Sequence, residues 1–157
     1  MGALAPVDPE PMTKDDFDAI TRNLAAFWGE RDPVDLHHPM FVHEFVDGAL
    51  VIRDAQAAVA AYLFGFFVPD RGLAYVHLVA VREDQRGKGL ARQLYARFWM
   101  LARERGCTSM KAIARPENTT SIAFHHALGL DSTEAPDYSG PGRARIVFSG
   151  QPIPGLT

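Results

Sequence analysis

The sequence is poor in cysteine and has neither a run of basic residues nor a long apolar stretch. Its one cysteine, Cys107, excludes a disulfide within the chain. We expect it to be small apolar filler, with a nucleophilic thiol as the less favoured alternative. No apolar run is long enough to span a membrane, and no basic tract indicates nucleic acid or an anionic membrane as a partner. The first residues have no basic start and no apolar segment, so the sequence predicts no signal peptide and a cytoplasmic location.

Common signatures of covalent catalysis and of zinc binding are missing as well. The Gly-x-Ser-x-Gly motif is absent, which argues against a serine nucleophile of that kind. The zinc motif His-Glu-x-x-His fails after His43, because position 47 is aspartate. The spacing of His37, His38 and His43 matches no usual zinc site. The sequence therefore favours solvated loop histidines here and no bound metal.

The chain that remains is an ordinary globular sequence with mixed secondary structure. It has 157 residues, of which 47% are hydrophobic and 22% charged, and a formal net charge of -3. This length predicts a single domain over residues 1–157. Apolar spacing predicts helices at about 14–28, 40–46, 88–105 and 119–128, and strands at 49–54, 57–68, 74–81, 108–114 and 144–150. We expect a mixed α/β fold with a central sheet flanked by helices.

The stretch VREDQRGKGLARQL, residues 81–94, places two glycines and two basic residues where a strand changes to a helix. A helix N-terminus attracts anions, and Gly87 and Gly89 would let a phosphate approach the backbone. Arg86 and Lys88 add positive charge beside it. A solvated turn in which the glycines only permit the bend is equally compatible with this stretch. The known nucleotide loop Gly-x-x-x-x-Gly-Lys-Ser/Thr is absent, since Gly89 follows Lys88.

A second stretch, ARPENTTSIAFHHALGL at residues 114–130, follows the next predicted strand. Together the two stretches resemble the GNAT superfamily of N-acetyltransferases. The family pattern Gln/Arg-x-x-Gly-x-Gly/Ala is matched by Arg86, Gly89 and Ala91. The second pattern is matched by five residues: Asn118, Ser121, Phe124, Gly129 and Leu130. His125 stands where the family usually has tyrosine, and the proline-rich start leaves little room for the family's first strand.

This resemblance implies acetyl-CoA as the co-substrate, held between strands 74–81 and 108–114, which splay apart. The resemblance assigns the pyrophosphate to the backbone of Gln85, Arg86, Gly87, Lys88, Gly89, Leu90 and Ala91. It assigns the pantetheine arm to the strand edge at Leu78, Val79 and Val81 and to the second stretch at Asn118, Ser121 and Phe124. An N-cap of the following helix is the structural alternative for Asn118.

The absence of a nucleophile signature favours direct transfer to the amine, and two histidines are candidate catalysts for it. His125 is the candidate donor to the departing thiolate, and a surface histidine beside His126 is the alternative. His77 is the candidate base, and a hydrogen-bonded core histidine is the alternative. The family builds its acceptor site from the first two helices, so four acids are expected to border it: Glu30, Asp32, Asp35 and Glu44. They are equally compatible with ordinary surface charge.

The sequence leaves other functions and several details open. A noncatalytic acetyl-CoA-binding module is the alternative to an enzyme, and a generic nucleotide binder using residues 86–91 is a second. The acceptor is an amine on a small molecule or a protein. A homodimer is compatible with the sequence but not indicated by it.

Overall fold

The computed structural model describes residues 8–31 and 33–156, so the predictions that fall on Asp32 lie outside the described residues. The α-helices are α1 Lys14–Arg22, α2 Ala25–Trp28, α3 Met40–His43, α4 Leu90–Glu104 and α5 Thr119–Ala127. The strands are β1 Glu10–Pro11, β2 Ala49–Arg53, β3 Val59–Val68, β4 Leu73–Val81, β5 Ser109–Ala114, β6 Asp131–Ala135 and β7 Arg145–Gly150. Short 3-10 turns occupy Val34–Leu36, Val46–Gly48, Pro69–Arg71 and Glu83–Gln85.

The strands form one mixed sheet in the order β1-β2-β3-β4-β5-β7-β6. β1, β2 and β3 are joined by antiparallel pairs, and β7 is antiparallel to both β5 and β6. β4 and β5 are parallel, and their ladder joins residues 73–75 to residues 109–111, at the start of both strands. The predicted mixed α/β fold with a central sheet and flanking helices is confirmed. Two strands that diverge would pair only near one end, and the ladder between β4 and β5 is compatible with this. Their divergence itself stays a prediction.

The chain contains two compact units. The first consists of the described residues up to Phe66 together with Leu78–Phe98. Its core is aromatic: the ring centroid of Phe64 lies 6.0 Å from that of Phe17 and 5.3 Å from that of Phe41. The ring of Phe27 stands edge-on to Tyr62 at 5.0 Å. Residues 59–64 of β3 are buried without interruption, as the apolar run of this strand predicted.

Helix α1 begins with a reciprocal cap. The Thr13 hydroxyl accepts a hydrogen bond from the Asp16 amide at 3.1 Å, and the Asp16 carboxylate accepts one from the Thr13 amide at 2.9 Å. Both oxygens of Asp16 also accept from the Arg53 guanidinium, at 2.7 and 2.9 Å. Burial alone would raise the pKa of Asp16, but the hydrogen bonds from Arg53 and Thr13 outweigh it and lower the pKa. This pair therefore fixes α1 to strand β2.

The second unit consists of Phe67–His77 and the described residues from Trp99 onward. Met110 and Phe148, on the paired strands β5 and β7, are both fully buried in it. Cys107 lies just before β5 and is 4% exposed, and its Sγ donates to the Leu73 carbonyl at 3.4 Å. Burial raises the pKa of this thiol, which supports the expectation of apolar filler over that of a nucleophile.

Three details differ from the sequence predictions. The helix predicted at 14–28 is two helices, because the chain leaves the helical conformation at Asn23, a weak helix former with φ -135°. The helix predicted at 40–46 ends at His43. Strand β6 was missed: four of its five residues are exposed, so it shows no alternation between apolar and polar positions. β1, expected to be short or missing, is a strand of two residues.

Candidate active site

The glycine loop, residues 85–91, joins β4 to α4. It starts from the 3-10 turn Glu83–Gln85, in which the Gln85 amide donates to the Arg82 carbonyl at 2.8 Å. The Arg86 amide donates to the Glu83 carbonyl at 3.4 Å. Gly87 and Gly89 then adopt φ values of +77° and +75°, in the left-handed region that other residues rarely enter. The backbone here requires both glycines.

The loop presents a row of unsatisfied donors. Within the part of the chain that the structure describes, none of the backbone N–H groups of residues 87–91 donates a hydrogen bond. A Cβ atom built on Gly87 or Gly89 meets no protein atom within 4 Å, so neither glycine is needed to avoid a clash. Five consecutive N–H groups without a partner at the positive end of a 15-residue helix are chemically suited to an anion. The amides of Gln85 and Arg86, in contrast, donate within the turn.

The basic side chains of the glycine loop have partners within the protein. Lys88 Nζ donates to Gln85 Oε1 at 3.0 Å, and both groups are exposed. Arg86 Nη2 donates to the carbonyl of Phe27 at 2.9 Å, and its Nε donates to the carbonyl of Val81 at 3.3 Å. The Arg86 guanidinium is thus bonded to backbone oxygens, and the Lys88 ammonium to a side-chain oxygen of the same loop.

Strand β4 leads into this loop with one partly open face. Four residues in alternation, Tyr75, His77, Val79 and Val81, are half-buried. The intervening Ala74, Val76 and Ala80 are buried, whereas Leu78 is half-buried and breaks the alternation. The strand therefore exposes the face that carries His77, as its period of two predicted.

The start of α5 forms a hydrogen-bonded series. Asn118 Oδ1 accepts from the Ser121 amide at 3.1 Å, so Asn118 is the N-cap of α5. The Ser121 carbonyl lies 2.7 Å from His125 Nδ1. Because a carbonyl only accepts, the proton of the neutral ring is on Nδ1. The cap uses only the Oδ1 of Asn118 and not its side-chain N–H donors, so capping and cofactor binding are compatible.

His125 is 4% exposed and lies against Phe124 and Phe148. Burial lowers its pKa, the hydrogen bond to Ser121 raises it, and the neighbouring His126 lowers it, with a lower pKa as the result. His126 is exposed and bonds Ser132 Oγ at 2.8 Å. The alternative of a surface histidine thus fits His126 and does not fit His125.

The loop histidines before β2 are not all solvated. His38 and His43 are exposed as expected, but His37 is 5% exposed and that expectation is wrong for it. Its Nδ1 lies 2.8 Å from the Pro33 carbonyl and its Nε2 lies 2.7 Å from the Tyr62 hydroxyl. No sequence pattern predicts this contact, because His37 and Tyr62 are 25 positions apart.

The predicted site residues fall into the two units. Leu78, Val79, Val81 and residues 85–91 belong to the first, and His77, Asn118, Ser121, Phe124 and His125 to the second. The expected acids Glu30, Asp35 and Glu44 are exposed. Among residues 8–31 and 33–156, no three His, Cys, Asp or Glu side chains are placed to hold a metal ion. No helix in the described ranges is long and apolar enough to cross a membrane.

Comparison with known proteins gives the same family as the motifs. The acetyltransferase (GNAT) family model matches residues 16–130. An L-methionine sulfoximine/L-methionine sulfone acetyltransferase of Pseudomonas aeruginosa is 37% identical over 116 residues, which cover 69% of this chain and 67% of that protein.

Two solved structures share the fold. Ard1 of Thermoplasma volcanium has a TM-score of 0.75 and 21% identity, and covers 95% of this chain and 99% of its own. The putative acetyltransferase yncA of Salmonella typhimurium, solved with acetyl-CoA, has a TM-score of 0.67 and 24% identity, and covers 94% of each chain. The protein therefore belongs to the GNAT family and is an acyltransferase that moves an acetyl group from acetyl-CoA to an amine.

Proposed function

We propose that the protein acetylates the primary amine of a small molecule by direct attack of the amine on acetyl-CoA, with both substrates bound together. The observation that carries this proposal is the row of five backbone N–H groups at residues 87–91, which no group in the described protein satisfies. Such a row suits a pyrophosphate, and two positive-φ glycines keep it accessible. The absence of a serine-nucleophile signature favours direct transfer.

The cofactor-binding roles follow the family motifs onto these residues. The N–H groups of residues 87–91 hold the pyrophosphate, while Gln85 and Arg86 shape the entry to the loop. The edge of β4 at Leu78, Val79 and Val81 binds the pantetheine arm as an added strand would. Asn118 donates its side-chain N–H to the same arm. Ser121 and Phe124 support this end of the site.

Acetyl-CoA supplies the acetyl group as a thioester, and the chain supplies the proton transfers. A bond forms between the amine nitrogen and the acetyl carbon, and the carbon–sulfur bond breaks. A strand N–H near Leu78 or Val79 polarises the carbonyl. His77 takes a proton from the amine, directly or through water. His125 gives a proton to the departing thiolate.

The structure sets a condition on the His125 role. The Nδ1 proton of the neutral ring is donated to Ser121, so donation to a thiolate requires a second proton on Nε2. Burial lowers the pKa of His125 and disfavours this doubly protonated form. We therefore expect a modest contribution near pH 7, and a thiol with a pKa of about 8.5 is a fair leaving group without help.

We propose an α-amino acid or similar small amine as the acceptor. This class is supported by the Pseudomonas aeruginosa relative, which is named for its action on L-methionine sulfoximine and L-methionine sulfone. The family resemblance assigns the exposed acids Glu30, Asp35 and Glu44 to the border of the acceptor site, where their charge would suit a cationic amine. A homodimer, a single domain and a cytoplasmic location stay predictions.

Release of CoA thiol from acetyl-CoA tests the proposal directly. The assay compares L-methionine sulfone, a polyamine and a short peptide, with N-acetyl-L-methionine sulfone as a matched acceptor whose amine is blocked. We expect turnover with the amino acid and none with its blocked form. Binding of CoA without thiol release from any amine would instead support a noncatalytic binding module. Equal affinity for ADP and CoA would support a generic nucleotide binder.

A further inference from the structure

The side chain of Arg86 leaves the glycine loop and reaches helix α2. Its Nη2 donates to the Phe27 carbonyl at 2.9 Å and its Nε donates to the Val81 carbonyl at 3.3 Å. Val81 is the last residue of β4 and Phe27 lies in the only turn of α2. One guanidinium thus joins the entry of the loop to the end of a strand and to a helix 59 positions earlier in the chain.

Helix α2 is also held by a hydrogen-bonded series that runs from Trp28 through Tyr62 to His37. Trp28 Nε1 donates to the Tyr62 hydroxyl at 2.8 Å. That hydroxyl lies 2.7 Å from His37 Nε2, and His37 Nδ1 lies 2.8 Å from the Pro33 carbonyl. The carbonyl fixes the proton of the neutral imidazole on Nδ1, so Tyr62 accepts from Trp28 and donates to His37. The series joins α2 and the 3-10 turn Val34–Leu36 to strand β3.

Helix α2 depends on these contacts for its position. It has four residues, and a helix of one turn is not stable through its own hydrogen bonds. The ring of Phe27 packs against Tyr62, while the carbonyl of the same residue accepts from Arg86. Arg86 is an exposed residue, so water competes for its hydrogen bonds. A ligand that restrains the loop would reduce this competition.

We propose that Arg86 is a positioning residue, which couples the binding of CoA at the glycine loop to the order of α2 and the turn Val34–Leu36. The proposal rests on the proposed function, in which the pyrophosphate lies on the N–H groups of residues 87–91. A pyrophosphate there restrains the backbone next to Arg86 and holds its guanidinium on Phe27. If CoA binding raises the affinity for a second ligand that orders α2, that ligand must by linkage raise the affinity for CoA by the same factor. CoA binding would then prepare the segment that we assign to the acceptor.

Hydrogen exchange of the full chain, with and without saturating CoA, tests this coupling. In the wild type we expect CoA to slow exchange in α2 and at Val34–Leu36 by about fivefold or more, the lower end of usual coupling factors. Arg86→Met keeps a long side chain but lacks the donors, and should lose most of this protection at a CoA concentration that still saturates the loop. Lys88→Met is the matched control, because it removes one positive charge from the same loop but none of the bonds to Phe27 and Val81.

The outcomes separate this proposal from the proposed function. Protection that persists in Arg86→Met, or that is lost equally in Lys88→Met, would overturn the positioning role. CoA binding by calorimetry with no change in exchange of α2 in the wild type would also overturn it and leave the proposed function intact. A wild type that binds no CoA would refute both. Loss of protection in Arg86→Met alone would support the coupling.

Discussion

The imidazole of His125 lies flat on the ring of Phe148, with the ring centroids 4.1 Å apart and the planes inclined by 6°. This stacking places a titratable ring against a fully buried phenyl group. Burial leaves little water to solvate a charged imidazolium there, and this is the main reason why the pKa of His125 is lowered. The backbone carbonyl of Ser121 fixes the tautomer of the neutral ring. His125 is thus held rigidly in a known orientation, whatever its part in the reaction.

Histidine NMR should show this environment directly. We expect His125 to titrate below the ordinary value of about 6.5 and to carry its proton on Nδ1 when neutral. Because the folded pKa is lowered, the unfolded chain binds more protons, so His125 should reduce stability as the pH falls below about 6.5. A titration midpoint at or above that of a free histidine would contradict this description of the site.

Replacement of His125 tests its role in turnover. His125→Phe should lower turnover modestly while acetyl-CoA affinity changes little, and the loss should grow at lower pH, where more of the wild-type ring is doubly protonated. His126→Phe is the matched control, since it removes the adjacent exposed histidine from the same helix. Rates measured from pH 6 to 9 decide the matter. Equal profiles for wild type and His125→Phe would leave His125 with a structural role only.

The parts of this protein that the sequence predicted are those whose determinants are local. The glycine loop needs two positive-φ positions and a helix start within about ten residues, and all of these are visible in the sequence. The apolar run of β3 predicts a buried strand. His37 could not be predicted to be buried, because its partners Trp28 and Tyr62 come from separate elements. Strand β6 lies at the sheet edge with exposed side chains, so its strand state depends on pairing with β7 and not on its own composition.

Gly89→Val should weaken acetyl-CoA binding in addition to straining the backbone. Gly89→Val places a branched side chain at φ +75°, in space that we assign to the pyrophosphate. We expect acetyl-CoA affinity to fall about tenfold to a hundredfold, since hydrogen bonds to a charged group are each worth about 1.5–3 kcal/mol. Calorimetry measures this loss.

Gly106→Val is the matched control for that variant. Gly106 has φ +84°, and a Cβ atom there also meets no protein atom within 4 Å, so the two substitutions impose similar backbone strain. Both variants should lose melting temperature, whereas only Gly89→Val should lose affinity. Wild-type affinity in a folded Gly89→Val protein would remove the claim of a phosphate site at this loop.

The ion pair of Asp16 and Arg53 predicts acid sensitivity of the fold. The pKa of Asp16 is lowered in the folded state, so its stabilisation is present above the unfolded pKa of about 3.8 and is lost as the pH falls below that value and through the lower folded pKa. Asp16→Asn should reduce the free energy of unfolding by about 1–3 kcal/mol at pH 7. The difference from wild type should shrink toward pH 3. Urea unfolding across pH 3–7 measures both effects.

Asp18→Asn provides the comparison on the same helix. The Asp18 side chain is 40% exposed and pairs with Lys14 four positions earlier, so its loss should cost only about 0.2–0.5 kcal/mol. Equal destabilisation by the two substitutions would show that the pair with Arg53 contributes no more than a surface ion pair.

His77 is the remaining candidate base, and its replacement distinguishes catalysis from packing. It lies half-buried on the open face of β4, two residues after Tyr75. His77→Gln keeps polarity and approximate size but cannot accept the proton from the amine. A neutral imidazole is needed for that step, so wild-type activity should fall as the pH drops through its pKa. In His77→Gln we expect lower turnover, no such acid limb and near-normal acetyl-CoA binding.

Tyr75→Phe is the control on the same face of the strand. This variant removes the Tyr75 hydroxyl, which bonds Tyr138. Burial and then the neighbouring Tyr138 raise the pKa of Tyr75, so the Tyr75 hydroxyl is neutral at working pH. This variant should keep the acid limb. A packing role for His77 leads to a different result: the melting temperature of His77→Gln falls while turnover per folded molecule is unchanged. Measuring the pH–rate profile and the thermal melt on the same samples separates the two, and an unaltered profile in His77→Gln would exclude His77 as the base.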